Sequence, residues 1–141
     1  NVQIGFIKHH SVAQECTEKE FCAAREGGGT LVSPALALAE EIITARFPAD
    51  EWNVYLAQAS DGDNYFADNA VVEEVASRLL QRLRAFYYLE VNRDDESHLL
   101  QAYQELAEFF PQMVCTRARQ REDVYPLFRE LFSKPQVLEH G

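Results

Sequence analysis

Residues 52–64, WNVYLAQASDGDN, carry the reading on which the fold turns. Residues 52–59 read as a buried strand that runs straight into three polar, acid-rich positions. Working outward, SPALALAEEIITARF (33–47) is a helix, with Ser33 as its N-cap, Pro34 at the first position and Pro48 ending it. Downstream, a helix is expected from Asn69 to Arg84, with Val72, Val75, Leu79 and Leu83 on one face. AFYYLEV (85–91) reads as a strand, ESHLLQAYQELAEFF (96–110) as a helix and MVCTRA (113–118) as a strand. DVYPLFRELF (123–132) closes as a helix with Asp123 as N-cap and Val124, Leu127, Phe128 and Leu131 on its core side. Near the start, VQIGFIK (2–8) alternates as a strand does. Periodicity leaves EKEFCAA (18–24) open between a short edge strand and a helical turn.

Strands alternating with helices imply a mostly parallel sheet with helices on both faces, a three-layer α/β/α domain. Ligands of such sheets sit beyond the carboxyl ends of the strands. Asp61, Asp63 and, on the glycine-rich loop EGGGT (26–30), Thr30 all fall at that rim. His9 and His10 end the first strand and are expected there too. Carboxylates with a hydroxyl suit a hard divalent cation such as magnesium, manganese or calcium. The structural alternative makes Asp61 a cap for the following helix, with Gly62 closing the bend, and leaves Asp63 and Asp68 capping or facing solvent.

The composition limits the functions open to the chain. Its 141 residues suffice for one domain, and a formal net charge of −10 repels nucleic-acid phosphates. No apolar run reaches the roughly 18 residues of a membrane span. Cys16, Cys22 and Cys115 have no CxxC spacing, which suggests reduced cytosolic thiols. With His9 and His10 they match no common zinc template. EGGGTLVS lacks the lysine of a phosphate-binding P-loop, and no serine–histidine–acid order stands out. Asn1 and the closing LEHG read as cut ends, so residues 1–137 are taken as a partial domain and 138–141 as a vector-derived tail.

The run GGGTLVSPALALAEEIITARFPADEWNVYLAQASDGDNY (27–65), with IKHH (7–10) and VYPLFRELF (124–132), resembles the YeaH/YhbH family of uncharacterised bacterial proteins. The resemblance extends over nearly the whole chain. It implies a von Willebrand factor A-like, Rossmann-like domain whose metal-ion-dependent adhesion site draws on three loops. Thr30 matches the threonine of the second loop and Asp61 the aspartate of the third. The first loop's DxSxS is absent, so the first strand and its helix are expected upstream of Asn1. The implied function is a protein-binding or regulatory module, not an enzyme. It would be cytoplasmic, in a stress or sporulation pathway, and tied to a PrkA-like serine kinase. Magnesium or manganese is implied for the full-length protein, with weak or no binding by this fragment. No nucleic-acid or membrane partner is expected, and the missing central strand implies a homodimer of the fragment.

The alternative is a magnesium-dependent phosphohydrolase of haloacid-dehalogenase type, because GDNYFAD (62–68) is similar to that family's GDx(4)D motif. That chemistry needs a lysine between the threonine and this motif to offset phosphate charge. Lys8, Lys19 and Lys134 all lie elsewhere, and Arg46 comes late in a helix.

Overall fold

A computed structural model describes residues 2–9, 12–23, 31–91, 95–119 and 121–133. In chain order the elements are β1 (Phe6–His9), β2 (Ala13–Cys16), α1 (Glu18–Ala23), α2 (Ser33–Arg46), β3 (Val54–Ser60), α3 (Asp68–Leu80), β4 (Leu83–Val91), α4 (His98–Ala107), β5 (Met113–Ala118) and α5 (Val124–Ser133). A 3-10 turn, Arg121–Asp123, leads into α5.

The sequence LRAFYYLEV makes β4 the centre. It is apolar at nearly every position and buried along almost its whole length, as a strand covered on both faces must be. β3 and β5 flank it in parallel, in the order β3-β4-β5, with Ser60 opposite Glu90 and Glu90 opposite Arg117. On one face Phe86, Tyr88 and Met113 pack with Val72, Leu79, Leu99 and Tyr103 of α3 and α4, and with Leu36 and Ile43 of α2. On the other face Leu89, Val91 and Ala118 meet Val124, Leu127 and Phe128 of α5, the core side read from its spacing. The protein is thus α/β, with a parallel three-stranded sheet flanked by helices.

Two expectations are corrected, and one reading left open is resolved. β1 does not join this sheet; it pairs antiparallel with β2 in a separate two-stranded sheet, Ile7 opposite Glu15. The connection at residues 10–12 is far too short for the crossover that a parallel neighbour needs, so an antiparallel partner wins. His9 therefore does not end a strand of the main sheet, and His10 lies outside the described residues. EKEFCA resolves as the helix α1, its Phe21 ring 5.3 Å from Phe6. The second correction concerns Leu83, which is not on α3. The helix ends at Leu80, Arg82 N donates to Leu79 O at 2.8 Å, and Leu83 pairs with Val54.

α2 joins the two parts. Arg46 reaches Glu15 of β2 at 2.6 Å, and Arg78 of α3 reaches Glu40 at 3.0 Å. These pairs are largely exposed and set position more than stability.

Between α3 and α4, burial and then the neighbouring Glu105 carboxylate raise the pKa of Glu73 above its ordinary 4.5. An acid whose pKa is raised by folding holds its proton more tightly in the folded state. The fold therefore loses stability as pH rises from that ordinary value through the raised one. Glu73→Gln is expected to stabilise the protein by about 0.3 kcal/mol at neutral pH, the size of a screened like-charge pair. Denaturant titrations should show this gain vanish below the ordinary carboxylate range.

Candidate functional site at the rim of the sheet

Buried polar groups are costly, so where they collect is informative. Among the described residues the buried polar or charged side chains are Asp68, Asn69, Glu90 and Ser97. Asp68 and Asn69 open α3 after β3, Glu90 ends β4, and Ser97 precedes α4. All four lie at the carboxyl ends of β3 and β4, the end of a parallel sheet at which ligands commonly bind.

The turn after β3 is built by its own side chains. Gly62 N donates to Ser60 Oγ at 2.9 Å, and Asp63 N donates to Asp61 Oδ1 at 2.9 Å. Gly62 takes φ +87°, the left-handed region that favours glycine. Asp61 is exposed and closes an Asx turn, so it does not cap the following helix. Asp63 is exposed.

Asp68 has a different task. It is 8% exposed, and its carboxylate accepts from Val32 N at 3.1 Å, Ser33 N at 2.9 Å and Ser33 Oγ at 2.6 Å. Ser33, expected to be the cap of α2, is instead its first residue. The capping acceptor comes from Asp68, a negative charge at the positive end of the helix. Asn64 adds an acceptor for Val32 N at 2.8 Å and donates to Asn69 Oδ1 at 2.7 Å. Segment 61–69 is thereby fastened to the start of α2, three residues after Thr30 in sequence. Thr30 itself lies outside the described residues.

Glu90 was not singled out from the sequence. It is 1% exposed and accepts from Tyr88 OH at 2.8 Å, Ser97 N at 3.1 Å and Ser97 Oγ at 2.5 Å. Ser97 Oγ in turn accepts from Leu100 N at 2.9 Å and caps α4. The signal was present, since Glu90 is an acid in the otherwise apolar run AFYYLEV. Burial, and then the charge of Glu90, push the Tyr88 hydroxyl far above its ordinary range. The same two causes push the Cys115 thiol up to about 11, so it stays protonated at neutral pH. Tyr65 and Phe66 stand at 67% and 70% exposure on the segment that carries Asp61, the Phe66 ring 5.0 Å from His98.

Among the described residues no three His, Cys, Asp or Glu side chains group as a metal site. Nor is any described helix long and apolar enough to cross a membrane.

The DUF444 family, described as a protein of unknown function, matches residues 1–135. The chain belongs to that family. It is 43% identical over 138 residues to a UPF0229 protein of Shewanella oneidensis, covering 97% of this chain and 33% of that protein. A UPF0229 protein of Vibrio vulnificus is 44% identical over 135 residues, covering 95% and 32%. One from Pectobacterium atrosepticum is 41% identical over 138 residues, covering 97% and 32%. The YeaH/YhbH resemblance is therefore shown, since that family is UPF0229. The chain spans about a third of the length of these relatives. No solved structure matches it.

Proposed function

We propose that this DUF444 chain is part of a von Willebrand factor A-like binding module, not an enzyme, whose rim holds a divalent cation and through it a protein partner. The observation that carries the proposal is the fastening of the Asp61 segment to the start of α2 by Asn64 and Asp68. It ties the Asp61 segment to Val32 and Ser33, the residues that follow the Thr30 loop in sequence. Asp61 would hold magnesium or manganese through its carboxylate, with Thr30 as the hydroxyl ligand. Such a cation supplies an open coordination position that accepts a partner's carboxylate. The remaining ligands would come from the part of the full-length protein outside this chain, so the fragment alone binds weakly. The separation of the β1–β2 hairpin from β3-β4-β5 supports the von Willebrand A-like reading, because the central first strand that the resemblance implies would lie between them. A cytoplasmic stress or sporulation role beside a PrkA-like serine kinase rests on the family resemblance alone.

The phosphohydrolase reading fares less well on the same residues. Its motif would need Asp68 for magnesium, and the Asp68 oxygens are taken up in capping α2.

Asp61→Ala in the full-length protein should abolish manganese binding in calorimetric titration and cost less than about 1 kcal/mol of stability, since the side chain is exposed. Wild-type affinity in that variant would remove Asp61 from the site. The fragment alone should be a homodimer. β3 lies at the end of the sheet with Tyr55, Ala57 and Ala59 exposed along it, a template for pairing with another chain. Light scattering that gives a monomer at working concentrations would contradict this.

A further inference from the structure

A carboxylate in a core is expensive, and an apolar side chain would fill the same space at less cost. The bonds of Glu90 suggest why this chain keeps one. They go to Tyr88 on its own strand and to the backbone and hydroxyl of Ser97 at the head of α4. The Asp61 turn rests directly on this pair. A Cβ added to Gly62 would stand 2.6 Å from Glu90 Oε1, 2.7 Å from Ser97 Cβ and 2.8 Å from Ser97 Oγ. The turn is therefore held from within by the hydroxyl of Ser60 and the carboxylate of Asp61, and from beneath by Glu90 and Ser97.

We infer that Glu90 is the positioning residue of this site: a buried carboxylate that fixes the Asp61 turn against the head of α4 and holds Asp61 in the orientation that takes a cation. The inference rests on the cation reading above. Glu90 touches the turn through the backbone of Gly62 and is not itself a ligand. Its bonds link β4 to α4, so loosening them releases the floor of the turn while Asp61 stays intact. Presentation of a ligand by a supporting residue of this kind is typically worth 10–100-fold in metal affinity.

The experiment uses the full-length protein with manganese as the probe, in wild type, Asp61→Ala, Glu90→Gln and Ser97→Ala. Glu90→Gln keeps the shape and removes the charge; Ser97→Ala keeps the charge and removes the hydroxyl that holds it. Manganese affinity is read by calorimetry, and hydrogen exchange is read at the amides of Gly62 and Asp63. Both variants should bind manganese at least tenfold more weakly and exchange those two amides faster, with the amides of β4 still protected. Ser97→Thr, which restores a hydroxyl, should recover both properties. Wild-type affinity and wild-type exchange in Glu90→Gln and Ser97→Ala would overturn the inference. If Glu90→Gln does not fold, Ser97→Ala and its threonine rescue decide alone. A wild-type protein that binds no manganese would fail the cation reading instead. Exchange at Gly62 and Asp63 then still decides whether Glu90 fixes the turn.

Discussion

Gly62→Ala will lower the stability of the fold by about 2–4 kcal/mol, summing a left-handed backbone penalty of about 1 kcal/mol and the cost of overpacking a filled site. Gly62 holds φ +87°, where an alanine is strained whatever the space. The space is also missing, because the new Cβ would meet Glu90 Oε1 at 2.6 Å and Ser97 Cβ at 2.7 Å. Glu90 cannot yield cheaply, because Tyr88 and Ser97 both hold its carboxylate. Gly5→Ala provides the control, since a Cβ there meets nothing within 4 Å. Its effect should stay within about 0.5 kcal/mol. Denaturant unfolding of both variants checks the pair, and equal effects would show that the turn is not packed on Glu90.

Asp68→Ala should cost about 2–4 kcal/mol, the loss of a helix cap together with buried donors left unpaired. Val32 is 1% exposed and its amide also bonds Asn64, but Ser33 N and Ser33 Oγ would both lose the acceptor shown for them. The positive end of α2 would lose its countercharge as well. Asp68→Asn keeps an acceptor and should cost about half as much. The consequence for function follows from the same contacts. Asp68 ties the segment carrying Asp61 to the start of α2, so the alanine variant should weaken manganese binding by the full-length protein even where the fold survives. Unfolding curves and calorimetry on the two variants separate the losses.

The sequence shows most where one residue pattern decides one element. The length and apolar content of 33–47 allow only a helix, and α2 spans Ser33–Arg46. MVCTRA gives β5 to the residue. Pairing is less legible. The alternation in VQIGFIK shows a strand but says nothing of its partner, and that partner, AQEC, is short and polar enough to read as loop. Helix ends fail for a related reason: Leu83 fits the apolar stripe of α3 until strand pairing with Val54 takes it.

At the site, Asp61 was legible as an acid at the end of a strand. The role of Asp68 was legible only as capping in general, because the helix it caps begins 35 residues earlier in the chain. Glu90 needed the opposite inference, from an acid that interrupts an apolar run to a buried charge with a task. What pattern cannot supply is Ser97 beneath Gly62, a contact made between two turns that the sheet brings together.

The most direct measurement is a crystal of the full-length protein grown with manganese and examined by anomalous scattering at the manganese edge. One strong peak is expected at the rim of the sheet, bounded by the Asp61 carboxylate and the Thr30 hydroxyl. Electron density for both loops with no manganese beside Asp61, or with the ion held elsewhere, would contradict it.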